Sequence, residues 1–245
     1  MHRFFCSSQN ISGNKIIVSD TNQVHHARVV LRLKVNDEVI VSDGKGNEYV
    51  CLIKELLDNK LILKIKERRP SFKREGKIKI TVACAIPKKS KMDDIVDKLT
   101  QLGVERIIPL ETERVVIKLD KSKKISRLER WKKIALNASQ QSQRRAITII
   151  EPIKQIREVL SEAGDYDLKL IPTLLGERKS LKEIFAQFNP QNILVLIGPE
   201  GDFTPQEVAL AVKAGFIPLT LGKLVLRVDT AAIAVVSVLN HVLGY

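Results

Sequence analysis

The segment that most constrains this chain is Leu194–Thr204, LVLIGPEGDFT, which runs on into Pro205-Gln206-Glu207. A short apolar run without alternation suits a strand buried on both faces, as in a parallel sheet. The run stops at Gly198-Pro199-Glu200-Gly201, and Thr204 with Glu207 then spells a capping box with proline at the first helical position. Strand, turn and capped helix in this order make an α/β unit. Asp167–Ile171, Ile193–Ile197 and Phe216–Leu221 are runs of the same kind. Lys79–Ile86 and Arg106–Leu110 read as two more strands. Met92, Ile95, Val96, Leu99 and Leu102 share one helical face that Gly103 can close. Leu128, Trp131, Ile134, Ala135 and Ala138 form a second stripe. The last helix, from Asp229 or Thr230, is apolar all round, so burial is expected.

Residues 1 to about 67 follow a different pattern. Lys15–Ser19, Glu38–Ser42, Glu48–Lys54 and Leu61–Lys66 read as short strands, with a Gly-rich hairpin turn at Asp43–Asn47. One helix, capped by Asp20 and reaching Leu33, interrupts them. A small barrel-like β domain is expected, and Arg68–Lys77, polar and broken by Pro70 and Gly76, is the expected boundary.

Charge narrows the function. The 245 residues carry 41 Lys plus Arg against 28 Asp plus Glu, a net charge of +13, and such a field attracts polyanions. The longest apolar stretch, Ala231–Leu239, is too short to span a bilayer, and the N-terminus lacks a signal-peptide pattern, so a cytoplasmic protein is expected. Cys6, Cys51 and Cys84 are widely spaced without a CxxC pair, which fits small core residues better than a disulfide framework or a zinc site. No Walker loop, dinucleotide fingerprint or G-x-S-x-G elbow is present, and the histidines form no metal pattern.

Three segments are candidates for chemistry. The Gly-Pro-Glu-Gly turn lies just beyond a buried strand, where open α/β sheets bind ligands, although a tight turn alone would also explain its glycines. Arg227 lies between the loop at Gly222 and the apolar last helix; pairing with Asp229 is the favoured reading, and a substrate contact is the other. The helix read from Ser126 to Gln143, continuing into Arg144-Arg145, carries Arg127, Arg130, Lys132 and Lys133, an excess of one sign that favours an RNA partner.

Taken in order, MHRFF, HHARVVLRLKVNDEVIVSDGKGNEY, KSKMDDIVDKLTQLGVERIIPLETER, WKKIALNASQQSQR, LIGPEGDFTPQE and LGKLVLRVDTA resemble the 16S rRNA uridine-N3 methyltransferase family of the SPOUT superfamily. The resemblance implies a PUA-like RNA-binding β-barrel over residues 1–70 and, over 75–245, a SPOUT-type α/β methyltransferase domain with a C-terminal trefoil knot. It implies S-adenosylmethionine as methyl donor, no metal, the 16S rRNA of the small ribosomal subunit as substrate, and a homodimer. Donor-binding positions carried over are Thr173, Leu174, Ile197, Gly198, Pro199, Glu200, Gly201, Leu221, Gly222 and Leu226. Arg227 and Arg144 are the candidates for placing the target uridine, and Glu200 for orienting base or donor. The chain departs from the family pattern at Gln101 and Gln140, where Glu is usual, at Gln143, where glycine is common, and at Val228-Asp229, where threonine or alanine followed by Glu is usual. The alternatives are a related methyltransferase with another RNA target and a noncatalytic RNA-binding ribosome-assembly protein.

Overall fold

A computed structural model of the chain describes residues 1–69, 78–88, 91–114 and 120–244. Most of the expected boundary segment, residues 70–77, lies outside the described residues. The chain forms two compact units: one takes the described residues of Met1–Glu75 together with Ser139–Ile147, the other those of Gly76–Ala138 and Thr148–Tyr245.

The first unit holds β1 (His2–Phe5), β2 (Ile11–Ser12), β3 (Lys15–Val18), α1 (Thr21–His25), β4 (Glu38–Ser42), β5 (Glu48–Leu56) and β6 (Leu61–Arg69). They form one sheet in the order β1-β4-β5-β6-β3-β2, a half-barrel in which the end strands β1 and β2 do not pair with each other. Alternation puts Ile16, Val18, Val39, Val41, Cys51, Ile53, Leu61 and Leu63 on the inner face, where Phe4, Val24 and Ala27 close the core. Asp20 caps α1 as expected, its carboxylate accepting from the Gln23 N–H. The helix is shorter than the sequence suggests: after His25 it loosens into a π-turn over His26–Val30, and Arg32 takes a positive φ of 51°.

The segment Ser139–Ile147 is bound to this unit by specific bonds. Gln23 is buried and exchanges two hydrogen bonds with the Phe5 backbone, and its Oε1 also accepts from Gln140 Nε2 at 2.7 Å. Ser42 Oγ donates to the Arg145 carbonyl at 2.6 Å. The buried Glu48 carboxylate is paired with Arg3 and, at 3.1 Å, with Arg145 Nε, while Arg3 Nη1 also donates to the Arg144 carbonyl at 3.1 Å.

The second unit continues with β7 (Lys79–Ala85), α2 (Lys91–Gln101), β8 (Arg106–Glu111), α3 (Lys121–Gln141, whose residues from Ser139 on belong to the first unit), β9 (Ile149–Ile150), β10 (Lys154–Gln155), α4 (Ile156–Ser161), β11 (Leu168–Pro172), α5 (Leu181–Phe185), β12 (Asn192–Ile197), α6 (Pro205–Lys213), β13 (Ile217–Leu219) and α7 (Val228–Val242). Its sheet runs β10-β8-β7-β12-β11-β13, with β9 beside β8. Every pairing is parallel, which accounts for the unbroken apolar runs of β7 and β12. Trp131 is fully buried and donates to Asp93 Oδ1 at 3.1 Å, fastening α3 to α2. The last helix is only partly buried: Val228, Ala232, Val235, Val236 and Leu239 face inward, whereas Val238 and Val242 are exposed.

Helix α3 begins five residues before the expected Ser126 and ends at Gln141, short of Arg144. Gln143 turns the chain with a positive φ of 56°, and the Arg144 N–H reaches back to the Ser139 carbonyl at 2.9 Å. This is the left-handed helix terminus that glycine fills without steric cost. Gln143→Gly is therefore expected to stabilise the protein by about 1 kcal/mol, read as a raised midpoint in urea at unchanged slope.

Candidate functional site

The carboxyl ends of three adjacent strands, β12, β11 and β13, open into one cleft. Its walls are Pro172–Leu174 and Arg178 after β11, Ile197–Glu200 and Asp202 after β12, and Leu219–Gly222 with Leu224–Leu226 after β13; Val228 and Ala231 of α7 form its back. The space amounts to about 630 Å³ including the open mouth.

Each loop is held by local chemistry. At Gly198, which begins the turn after β12, a Cβ would come within 3.1 Å of the fully buried Phe203 ring. Thr204 and Glu207 form the capping box read from the sequence, and Glu207 Oε1 also accepts from the Glu113 N–H at 2.9 Å. Arg114 Nη1 donates to the Gly201 carbonyl at 2.6 Å. Glu200 Oε1 accepts from the Lys88 N–H at 3.0 Å, tying the turn to the segment after β7. The loop after β13 turns at Gly222, at a φ of 112°, with Thr220 Oγ1 accepting from the Gly222 N–H at 3.3 Å.

The rim is apolar and open. Leu174, Leu224 and Val225 are 54%, 79% and 75% exposed. Large aliphatic side chains clustered at the mouth of a cleft are what a ligand with a flat apolar face would cover. Polar groups meet them from the backbone of the three loops and from Arg178, Glu200 and Asp202.

Of the expected donor-binding positions, Thr173, Leu174, Ile197, Gly198, Pro199, Glu200, Leu221, Gly222 and Leu226 line the cleft. Gly201 does not; its carbonyl is taken up by Arg114. Arg227 sits between two lining residues but is itself outside the wall, exposed at the N-cap of α7. The pairing of Arg227 with Asp229 favoured from sequence is not found: Asp229 pairs with Lys91 at 3.4 Å, and Arg227 has no ion pair among the described residues. Arg144 belongs to the first unit, within the segment bound by Arg3, Ser42 and Gln23. The basic face of α3 is thinner than expected, because Arg130 pairs with Asp93 and Lys132 with Glu129; Arg145, past the end of the helix, pairs with Glu48.

The thiols play no part in this cleft. Burial pushes Cys84 up to about 12, with the Glu200 and Asp229 carboxylates adding to the effect, so it stays protonated at neutral pH. Sequence reasoning missed Arg178 and Asp202. Arg178 Nη1 donates to the Thr173 carbonyl at 3.3 Å. Neither residue carries a local signal, since each reads as a solvated charge in a polar loop.

Residues 74–240 match the RNA methyltransferase domain family and residues 18–66 match the RNA methyltransferase PUA domain family. Ribosomal RNA small subunit methyltransferase E of Mesomycoplasma hyopneumoniae is 33% identical over 95% of this chain and 96% of its own length. The protein of the same name from Bacillus subtilis is 28% identical over 98% of this chain and 96% of its own. Two solved structures superpose over nearly the whole chain. A methyltransferase from Legionella pneumophila with the bound cofactor SAM has a TM-score of 0.87 at 29% identity, covering 98% of this chain and 97% of that one. Ribosomal RNA small subunit methyltransferase E from Neisseria gonorrhoeae bound to S-adenosyl methionine has a TM-score of 0.85 at 28% identity, covering 99% and 98%. A parallel α/β domain with a strand-end cleft, the half-barrel before it and these matches place the chain in the RNA methyltransferase family of ribosomal RNA small subunit methyltransferase E.

Proposed function

We propose that this chain transfers the methyl group of S-adenosylmethionine to N3 of one uridine in the 16S rRNA of the small ribosomal subunit. The observation that carries the reading is the cleft built from three consecutive strand-end loops, with exposed Leu174, Leu224 and Val225 placed to cover an adenine ring. The C-terminal part of the α/β domain is read as the trefoil knot of the SPOUT fold. Bound there, S-adenosylmethionine supplies an electrophilic methyl on a sulfonium sulfur.

The chain's own groups must deal with the uracil. N3 becomes nucleophilic as its proton leaves, and the negative charge spreads onto the flanking carbonyl oxygens. Arg227, exposed and without an ion pair among the described residues, stands at the N-terminus of α7, where the helix dipole adds positive potential. It is assigned to stabilise that charge. Glu200 orients base or donor; its Oε1 is already engaged by the Lys88 N–H. A cytoplasmic homodimer is the form we assign, and the exposed Val238 and Val242 on α7 support a partner surface. Sedimentation would then give twice the 27.6 kDa chain mass.

Calorimetric titration tests the donor assignment: one S-adenosylmethionine per chain is expected, and no heat with a folded protein would refute it. RNA binding should also weaken steeply with salt, because a net charge of +13 meets phosphates by releasing their counterions. Affinity for a 16S rRNA fragment is expected to fall by at least tenfold between 50 and 200 mM salt, on the order set by several phosphate contacts. A flat response would make most of that charge incidental.

A further inference from the structure

Asp202 holds the cleft together although it stands where a side chain is unfavourable. Its φ of 59° lies in the left-handed region, which a non-glycine residue occupies at a steric cost. The carboxylate is the compensation. Oδ2 accepts from Thr173 Oγ1 at 2.9 Å and from the Leu174 N–H at 2.8 Å, and Oδ1 accepts from the Phe203 N–H at 2.8 Å. The Asp202 N–H in turn donates to the Pro199 carbonyl at 2.9 Å. One side chain thus fastens the turn after β12 to the loop after β11, and both are walls of the cleft. Thr173 is further fixed from behind: its N–H reaches the Leu219 carbonyl at 3.3 Å, and its Oγ1 accepts from the Leu175 N–H at 3.2 Å. All three loops of the site are therefore linked through Thr173, and Asp202 closes the link.

We infer that Asp202 is a positioning residue for methyl-donor binding, which sets the spacing between the Thr173-Leu174 and Gly198–Glu200 walls before the donor arrives. The inference rests on the assignment of the cleft as the donor site. A preformed spacing saves the ordering cost that binding would otherwise carry, so its loss appears in affinity. Stability responds differently, because glycine at position 202 relieves the left-handed backbone while it removes the three hydrogen bonds accepted by the carboxylate. A residue that served the fold alone would not separate the two readouts.

The test compares wild type, Asp202→Gly and Asp202→Asn by calorimetric titration with S-adenosylmethionine and by thermal unfolding without it. Asp202→Gly should bind about tenfold more weakly with its midpoint near that of wild type, and should show a raised KM at nearly unchanged kcat. Asp202→Asn keeps an acceptor for Thr173 and Leu174 and tolerates the left-handed backbone, so it should recover most of the affinity. Unchanged donor affinity in Asp202→Gly overturns the inference while leaving the donor site standing. Equal losses in Gly and Asn variants overturn the bridging role, as does weakened binding that only follows a lowered midpoint. Absence of binding in wild type removes the donor site itself and the inference with it.

Discussion

Arg227→Ala is expected to lower turnover by about 10²- to 10³-fold, the effect of removing one charge from a developing oxyanion, which is the role proposed for this side chain. Donor affinity should stay at the wild-type value, because the Arg227 side chain is outside the cleft wall. The fold should be unaffected as well: the side chain is exposed, makes no cap bond at the start of α7, and has no ion pair among the described residues. Arg227→Lys should recover only part of the rate, since an ammonium lacks the planar fork that spans a carbonyl oxygen. Single-turnover methyl transfer separates these steps. Full turnover in Arg227→Ala with intact donor binding would remove the arginine from the chemistry.

The second large effect concerns stability. Glu48 is 1% exposed and its carboxylate is held by Arg3 and Arg145. Removing one member of a buried ionic group leaves the others desolvated and unpaired, at a cost of about 3–5 kcal/mol. Glu48→Ala should therefore shift the denaturant midpoint strongly, with Arg3 carrying the larger share because its side chain is only 9% exposed against 38% for Arg145. The Ser139–Ile147 segment should loosen in the same variant, since Arg3 also binds the Arg144 carbonyl. Amide exchange over these residues would show it. A Glu48→Ala protein with wild-type stability would mean that the pair contributes nothing net.

The difference between these residues also shows what the sequence made legible. The Gly-Pro-Glu-Gly turn, its capped helix and the buried strands before it are local patterns, so periodicity and capping chemistry located them closely: Thr204 caps α6 as read, and Gly103 takes a positive φ after α2. What depended on distant partners was hidden. The opening strand β1 pairs in parallel with β4 some 37 residues further on, through the register of His2 with Val39, and nothing in MHRFF alone announces it. Helices α4 and α5, of six and five residues, are too short for a helical stripe to emerge. The placement of Ser139–Ile147 on the first unit rests on Gln140 meeting Gln23 and Arg145 meeting Glu48, contacts across about 100 residues or more. Arg227 and Asp229 looked like a pair because they are close in sequence, but Lys91 from another helix takes the carboxylate. Asp202 was invisible for the same reason: its partners Thr173 and Leu174 lie on another loop.

The same limits explain the basic surface. Counting charge along Ser126–Arg145 suggested a continuous basic face for a polyanion, whereas the fold supplies Asp93 to Arg130 on α3 and Glu48 to Arg145 beyond its end. Arg127 and Lys133 remain without ion pairs among the described residues and are the better candidates on that helix for phosphate contacts.

Methyl transfer from labelled S-adenosylmethionine to small ribosomal subunits that lack the modification, followed by nucleoside analysis, tests the central claim most directly. Label is expected in 3-methyluridine, at one nucleotide per subunit. Label in a different methylated nucleoside, or none from a protein shown to bind the donor, would contradict it.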